Sequence, residues 1–188
     1  MTWLVVGLGN PGPSYAATRH NVGYLVTDVL AARMGGAFKV HTSKRADVVE
    51  GRLAGERAVL GRSRSYMNDS GGAVSTLAKY YDVEPAQLIV VQDELDLPFG
   101  SLRVKFGGGD NGHNGLRDIR SALGTGEYFR VRIGIGRPGN SGGVTDHVLK
   151  TFSRADRKEL PVYVEEAADA VESLMTRGLE TTQSSFNR

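Results

Sequence analysis

The segment Leu88-Ile89-Val90-Val91 constrains the fold of this chain more than any other. A strand with one face in water alternates apolar and polar side chains, whereas this run is apolar throughout, which is typical of a strand covered on both faces. Other short apolar strands alternate along the chain with segments of helical periodicity. This order predicts an α/β fold in which helices flank a mixed, mostly parallel, twisted sheet.

Periodicity and turn-forming residues locate the other elements. Asn21 is expected to cap the first helix, and Ala54-Gly55 is expected to connect a hairpin. The segment 137–143 is expected to be a loop. We predict strands over 3–8, 48–53, 57–60, 88–91, 101–106 and 130–135, and helices over 22–34, 71–81, 116–123 and 154–177.

Length and composition predict a single globular domain over residues 1–188. A chain of 188 residues is long enough to bury roughly 70% of its unfolded surface without a disulfide or a structural metal. The chain has no cysteine, which excludes disulfides, thiolate metal sites and a cysteine nucleophile. We find no secretory leader and no run of 18 apolar residues, so we expect a soluble cytoplasmic protein without a membrane partner.

Many of the 25 glycines fall in two dense loops, 7–12 and 107–115. The first loop, Gly7-Leu8-Gly9-Asn10-Pro11-Gly12, matches the dinucleotide-binding pattern G-x-G-x-x-G. In such sites a helix begins on the loop, but here the predicted helix begins only at residue 22, and the acidic residue that should end a second strand is missing. We therefore favour a loop that displays Asn10 and His20, with a nucleotide-dependent oxidoreductase as an alternative.

His20 and Asp93 are candidates for a catalytic pair. His20 lies just before a helix start, where the partial positive charge of the helix favours a neutral imidazole that can accept a proton. Asp93 follows the buried strand at its carboxyl end, where α/β sheets usually bind ligands. A carboxylate that accepts from one imidazole nitrogen leaves the other nitrogen as the base. The alternatives are a structural histidine and a turn-forming aspartate.

Two other kinds of hydrolytic site are not favoured. The segment 139–143 satisfies G-x-S-x-G around Ser141, but a serine nucleophile of that type needs a strand directly before it and a helix directly after it. The four histidines, at 20, 41, 113 and 147, show no metal-ligand spacing. We expect neither a metal nor a cofactor.

Charge is segregated along the chain, although the net charge is only +2. Residues 33–67 include eight basic and three acidic side chains, and residues 100–137 include seven basic and three acidic ones. Residues 154–180 include four basic and seven acidic side chains. Two basic regions are compatible with a polyanion such as RNA on one face, and an ordinary solvated surface is the alternative.

Four segments together resemble the bacterial peptidyl-tRNA hydrolases, and the resemblance extends from Trp3 through the last predicted helix. The segments are 6–12 with 15–23, 66–71, 93–97, and 107–116 with its Gly112-His113-Asn114-Gly115. The resemblance implies a monomeric mixed α/β enzyme that needs no metal or cofactor. It also implies hydrolysis of the ester between a peptide and the 3′-terminal ribose of tRNA, which recycles tRNA after abortive translation.

The resemblance implies a role for each polar residue of these segments. His20 would be the general base that activates water, and Asp93 would hold it in its basic form. Asn10 would sense the peptide end, while Asn68 and Asn114 would bind substrate and position the ester and the water. Neutral amides suit this task because they add no charge that repels phosphates.

Other residues would support the site or bind the tRNA acceptor stem and its 3′ end. Tyr15 and Tyr66 would line the 3′-end site, Met67 would pack beside the base, and His113 would support the site without acting as base. Arg103 and Lys105 alternate on one strand and so share a face, which in the family meets the tRNA 5′ phosphate.

Several features leave alternatives open. Arg132 and Arg137 could extend the basic face, but Arg132 could equally form a structural ion pair. Three positions depart from the family pattern: Ser63, where proline is usual, Gln92, where histidine often precedes the aspartate, and Asn111, where glycine is common. A non-catalytic RNA-binding domain that uses the same basic face is the alternative function.

Overall fold

The computed structural model describes residues 1–139 and 143–188. Its strands are β1 (Trp3–Gly7), β2 (Lys39–Val40), β3 (Ala46–Leu53), β4 (Glu56–Ser63), β5 (Leu88–Glu94), β6 (Leu102–Phe106) and β7 (Phe129–Gly134). Its helices are α1 (Val22–Met34), α2 (Ser70–Tyr80), α3 (Asn114–Leu123), α4 (Val144–Val148), α5 (Arg154–Arg177) and α6 (Leu179–Phe186).

The seven strands of the described residues join one sheet in the order β2-β3-β4-β1-β5-β7-β6. The four central strands, β4, β1, β5 and β7, run parallel, and antiparallel pairs form both edges. Every residue of β5 is buried, as its apolar run predicts. The predicted α/β fold with a mixed sheet is therefore confirmed.

Helices cover both faces of the sheet, which explains why β5 lacks polar alternation. On one face, Val5 and Ile89 pack in a core with apolar residues of α1 and α5. On the other face, Val6 and Val90 pack with apolar residues of α2 and α3. Successive strand residues thus serve opposite cores, because side chains alternate across a strand.

The topology creates a crevice beyond the carboxyl ends of β1 and β5. After β1 the chain leads to the β2-β3-β4 side of the sheet, whereas after β5 it leads to the β7-β6 side. Ligands of open α/β sheets bind where adjacent strands lead away in opposite directions, because the connecting loops leave a space there. Asn10 lies three residues after the end of β1, and Asp93 is the last but one residue of β5.

Close contact between α1 and the central strands depends on Gly23. A Cβ atom at this position would lie 2.4 Å from the carbonyl oxygen of Val91 and 2.8 Å from the backbone nitrogen and oxygen of Leu8. Only glycine permits this distance, since real Cβ atoms essentially never approach within 3.0 Å. The first turn of α1 therefore packs directly against the ends of β1 and β5.

The structure differs from the sequence prediction in a few elements. The predicted cap of α1 is wrong, because the Asn21 side chain makes no capping hydrogen bond and instead binds Asn10. The helix predicted over 116–123 begins two residues earlier, at Asn114. β2, α4 and α6 were not predicted, since segments of 2, 5 and 8 residues carry too little periodicity.

The loop predicted over 137–143 is described only in part, and Ser141 of its G-x-S-x-G pattern lies outside the described residues. Among the helices that the structure describes, none is both long and apolar enough to cross a membrane.

Candidate active site

A cavity of about 310 Å³ lies in the crevice beyond β1 and β5. The structure places most of the predicted catalytic and substrate-binding side chains around it. These are Asn10, His20, Tyr66, Met67, Asn68, Asp93, His113 and Asn114. Tyr15 lies beside the cavity, with its ring centroid 6.0 Å from that of Tyr66. Arg103 and Lys105 lie apart from it, on β6.

His20 and Asp93 are joined by a hydrogen bond of 2.8 Å between Nδ1 and Oδ2. His20 belongs to a short 3-10 turn before α1, and Asp93 is the sixth residue of β5. Burial alone would raise the pKa of the Asp93 carboxyl, but interactions with His113 and His20 outweigh burial and hold this pKa well below its usual value. Asp93 is therefore an ionised acceptor, and it takes the Nδ1 hydrogen of His20.

His113 binds the second oxygen of the same carboxylate. Its Nε2 lies 2.8 Å from Oδ1 of Asp93. Its Nδ1 accepts hydrogen bonds from the backbone N–H groups of Gly115, at 3.1 Å, and Leu116, at 3.4 Å, and so caps α3. Both oxygens of Asp93 thus accept from imidazoles, an arrangement that the sequence did not predict.

Among the described residues, one group of side chains lies close enough together to hold a metal ion. It consists of His20, Asp93 and His113, whose ligand atoms lie within 4.8 Å of one another. The chemistry of the donor set does not fit a metal. A backbone N–H can only donate, so Nδ1 of His113 keeps its lone pair and Nε2 carries the hydrogen. The nitrogen that faces Asp93 is therefore a donor and not a metal ligand.

Asn10 is held in one orientation by its neighbours. Its backbone N–H donates to Oδ1 of Asn21 at 2.8 Å, and its carbonyl accepts from Nδ2 of Asn21 at 2.9 Å. Its side-chain Oδ1 accepts from the backbone N–H of Met67 at 2.6 Å. Because the oxygen is occupied, the side-chain NH₂ group of Asn10 is the donor available to the cavity.

Asn68, Asn114 and Tyr66 form the more exposed rim of the cavity. Asn68 lies in a 3-10 turn before α2, and Asn114 is the first residue of α3. Both asparagines are exposed, and the Tyr66 side chain is also open to solvent. Met67, in contrast, is buried beneath them. The cavity therefore offers amide groups near an exposed aromatic ring.

An apolar wall formed by α4 was not predicted. Val144, Val148 and Leu149 line the cavity together with Leu95. Val144 and Leu149 are exposed despite their apolar side chains. The spacing of Val144 and Val148 by four residues is a weak helical signal, but a helix of five residues is too short for periodicity to establish.

Asn111 connects the second glycine loop with the end of β5. Its φ angle is +51°, a conformation that asparagine adopts more readily than most residues. The same conformation accounts for the glycine that is common at this position in the family. Its Nδ2 donates to Glu94 at 2.8 Å and also to Asp96. Glu94 in turn accepts two hydrogen bonds from Arg132, at 2.9 and 3.0 Å. Arg132 thus forms the structural ion pair.

Arg103 and Lys105 share one face of β6, as predicted, opposite Arg132 and Arg130 of β7. Arg103 is exposed and Lys105 is half-buried. Burial lowers the pKa of the Lys105 ammonium group, and the positive charges of Arg132 and Arg130 lower it further. This edge of the sheet therefore concentrates positive charge.

Arg130 was not identified from the sequence as a site residue. Its side chain is fully buried, with the guanidinium 4.6 Å from the ring centroid of Tyr128. It donates to the carbonyl oxygens of Gly108, at 3.0 Å, Gly126, at 3.1 Å, and Gly109. Arg130 thereby anchors the glycine loop that leads to His113. The alternating apolar and polar residues of β7 predicted the strand, but they gave no sign that Arg130 anchors a loop.

Comparisons of sequence and of fold relate this chain to known proteins. Residues 4–188 match the family model described as Peptidyl-tRNA hydrolase. The peptidyl-tRNA hydrolase of Frankia alni is 60% identical over 98% of this chain and 93% of its own length, and that of Rhodococcus erythropolis is 59% identical over 97% and 96%. The crystal structure of peptidyl-tRNA hydrolase from Acinetobacter baumannii superposes with a TM-score of 0.92 at 35% identity, covering 99% of this chain and 94% of that one. This chain belongs to the peptidyl-tRNA hydrolase family.

Proposed function

We propose that this chain hydrolyses the ester bond between a peptide, or an N-blocked aminoacyl group, and the 3′-terminal ribose of tRNA. The observation that carries the proposal is the 2.8 Å hydrogen bond between His20 Nδ1 and the buried, ionised Asp93. Since Nδ1 donates its hydrogen to Asp93, Nε2 keeps a lone pair on a side chain that lines the cavity. Water activated there is the nucleophile.

The reaction proceeds in two proton-balanced steps. Nε2 of His20 takes a proton from water as the oxygen attacks the ester carbonyl, and Asp93 stabilises the resulting imidazolium. The tetrahedral intermediate then collapses, the bond to the ribose oxygen breaks, and His20 returns the proton to that oxygen. Amide N–H groups of Asn68 and Asn114 stabilise the negative charge on the former carbonyl oxygen.

Asn10 gives the site its preference for a peptide or blocked amino group. Its NH₂ group is the donor left free by the hydrogen bond from Met67 to Oδ1. This group binds a carbonyl oxygen of the peptide or blocking group, which a free aminoacyl group lacks. Asn21 supports the interaction because it holds the Asn10 backbone at both polar atoms.

The tRNA is bound through its acceptor stem and 3′ end. Tyr15 and Tyr66, whose rings meet edge to face, offer a surface on which the unpaired terminal nucleotide stacks. Arg103 and Lys105 bind phosphate at the edge of the sheet. We further infer that the enzyme acts as a monomer in the cytoplasm, where its substrate is made.

Purified protein mixed with N-acetyl-aminoacyl-tRNA tests the proposal. We expect release of free tRNA without added cofactor and in the presence of EDTA. His20→Ala should lower turnover by at least ~10²-fold, the usual contribution of a general base, while tRNA binding is retained. Wild-type turnover in His20→Ala would refute the assignment of the base. Binding of tRNA without turnover by the natural protein would instead indicate a non-catalytic RNA-binding domain.

A further inference from the structure

Two imidazoles flank a single carboxylate in this site, and their contacts with it look alike. His20 Nδ1 lies 2.8 Å from one oxygen of Asp93, and His113 Nε2 lies 2.8 Å from the other. The two ring centroids are 5.2 Å apart. Either ring could in principle be the base that Asp93 orients. The difference between them lies in the nitrogen of each ring that faces away from Asp93.

The outer nitrogen of His113 is already occupied. Nδ1 of His113 accepts from the backbone N–H groups of Gly115 and Leu116, the second and third residues of α3. Since these groups can only donate, His113 has a single neutral form, with its hydrogen on Nε2 and directed to Asp93. Within residues 1–139 and 143–188, the outer nitrogen of His20 accepts no hydrogen bond.

We propose that His113 is a positioning residue whose tautomer, set by the backbone of α3, makes it a fixed donor to Asp93 and leaves His20 as the ring that can act as base. In this set of hydrogen bonds the α3 N–H groups donate to Nδ1 of His113, and Nε2 of His113 and Nδ1 of His20 both donate to Asp93. This inference rests on the proposed function for its catalytic meaning. The direction of the hydrogen bonds is a separate property that can be measured without substrate.

The variant Asp93→Asn exposes this direction. An asparagine accepts on one side only, and His113 can only donate to it. The carbonyl oxygen of the new side chain must therefore face His113, and its NH₂ group must face His20. Nδ1 of His20 then becomes an acceptor, and the hydrogen moves to Nε2. His20 keeps its place but loses the lone pair that takes a proton from water.

Removing the hydrogen bond from His113 to residue 93 should then restore activity to the Asp93→Asn variant. In His113→Asn the new carbonyl oxygen replaces Nδ1 as the cap of α3, since asparagine is a favourable cap, but the shorter side chain does not reach residue 93. In the double variant D93N/H113N the amide at position 93 is free to turn its oxygen toward His20. A merely structural His113 would instead make the double variant slower than D93N.

The experiment compares kcat on N-acetyl-aminoacyl-tRNA with long-range ¹H–¹⁵N spectra of His20, in which protonated and unprotonated imidazole nitrogens are well separated. D93N should lower kcat by about 10²–10⁴-fold, the range for a base lost or held in the wrong tautomer, and should show hydrogen on Nε2. D93N/H113N should be faster than D93N by about tenfold or more, a coupling typical of residues in one hydrogen-bond network.

His41→Asn provides the matched control. Nδ1 of His41 also accepts from a backbone N–H, that of Ser43 at 3.1 Å, but His41 lies outside the cavity. D93N/H41N should remain as slow as D93N. A double variant D93N/H113N no faster than D93N, or a D93N spectrum with Nε2 of His20 unprotonated, would overturn the inference. If the natural protein released no tRNA, the proposed function would fail, and the spectra alone would decide the tautomer.

Discussion

Gly23→Ala should separate His20 from Asp93, the proposed catalytic pair, without unfolding the protein. Gly23 lies in the first turn of α1, three residues after His20, and faces the carbonyl oxygen of Val91, two residues before Asp93. The added Cβ would lie 2.4 Å from that oxygen, whereas ordinary contact begins at 3.4 Å. The first turn of α1 must therefore move away from β5 by about 1 Å, the difference between these two distances.

The consequence for catalysis is larger than the consequence for stability. Overpacking costs typically about 1–3 kcal/mol, but alanine gains about 1 kcal/mol over glycine inside a helix, so the net loss is small. The hydrogen bond between His20 and Asp93 is 2.8 Å long, and a shift of 1 Å along it would extend it to about 3.8 Å, beyond hydrogen-bonding range. Misplacement by 1 Å can lower a rate about 10²-fold.

The assay is kcat/KM on N-acetyl-aminoacyl-tRNA together with urea unfolding. Gly72→Ala is the matched control, because Gly72 also lies in the first turn of a helix and its Cβ would meet only the mobile end of Arg45, at 2.9 Å. We expect Gly72→Ala to retain wild-type kcat/KM. If Gly23→Ala also retained it while folding normally, the packing of α1 would not determine the position of His20.

Three further predictions concern Arg130, Lys105 and Tyr24. Arg130→Met leaves the loop carbonyl oxygens of Gly108 and Gly109 without their donor, so the free energy of unfolding should fall by about 1–3 kcal/mol in thermal unfolding and the KM should rise. Unchanged values for both would contradict the anchoring role. Lys105→Ala should raise KM more than it lowers kcat, and it should reduce the slope of log binding constant against log salt concentration for tRNA by about one. A fall in kcat alone would place Lys105 in the chemistry. Burial raises the pKa of Tyr24 to about 12, against an unfolded value of about 10, so the folded state favours the neutral phenol. The contribution of this phenol to stability is complete below pH ~10 and is lost as the pH rises to ~12. Urea unfolding across this range should show a smaller decline for Tyr24→Phe than for the natural protein, and equal declines would refute the shift.

Local patterns predicted most of the secondary structure because each depends on nearby residues. The bounds of α1 and α5 agree with their periodicity, and the apolar run of β5 reflects burial on both faces. The hairpin of β3 and β4 turns at Ala54 and Gly55, both with positive φ, as its sequence predicts. α4 was not predicted because a helix of five residues carries too little periodicity, and the cavity that its apolar residues line is visible only in the structure.

The candidate pair of His20 and Asp93 was predicted because each residue stands at a recognisable position, one before a helix and one at the end of a buried strand. Other features of the site depend on contacts between distant parts of the chain. Asn21 binds the backbone of Asn10 instead of capping its own helix, and nothing in its local sequence distinguishes the two roles. The burial of Arg130 likewise follows from the loop that folds over it.

The sequence by itself determined the alternation of strands and helices, the exclusion of cysteine chemistry and the candidate reactive groups, since these follow from residue identity and near-neighbour spacing. Only the tertiary structure decided how these groups are connected. Asp93 accepts from His20 and His113, which are 73 and 20 residues away. The N–H groups of α3 leave His113 no free lone pair. A hydrogen bond acquires its direction from the partners that surround it in space, and those partners are set by folding.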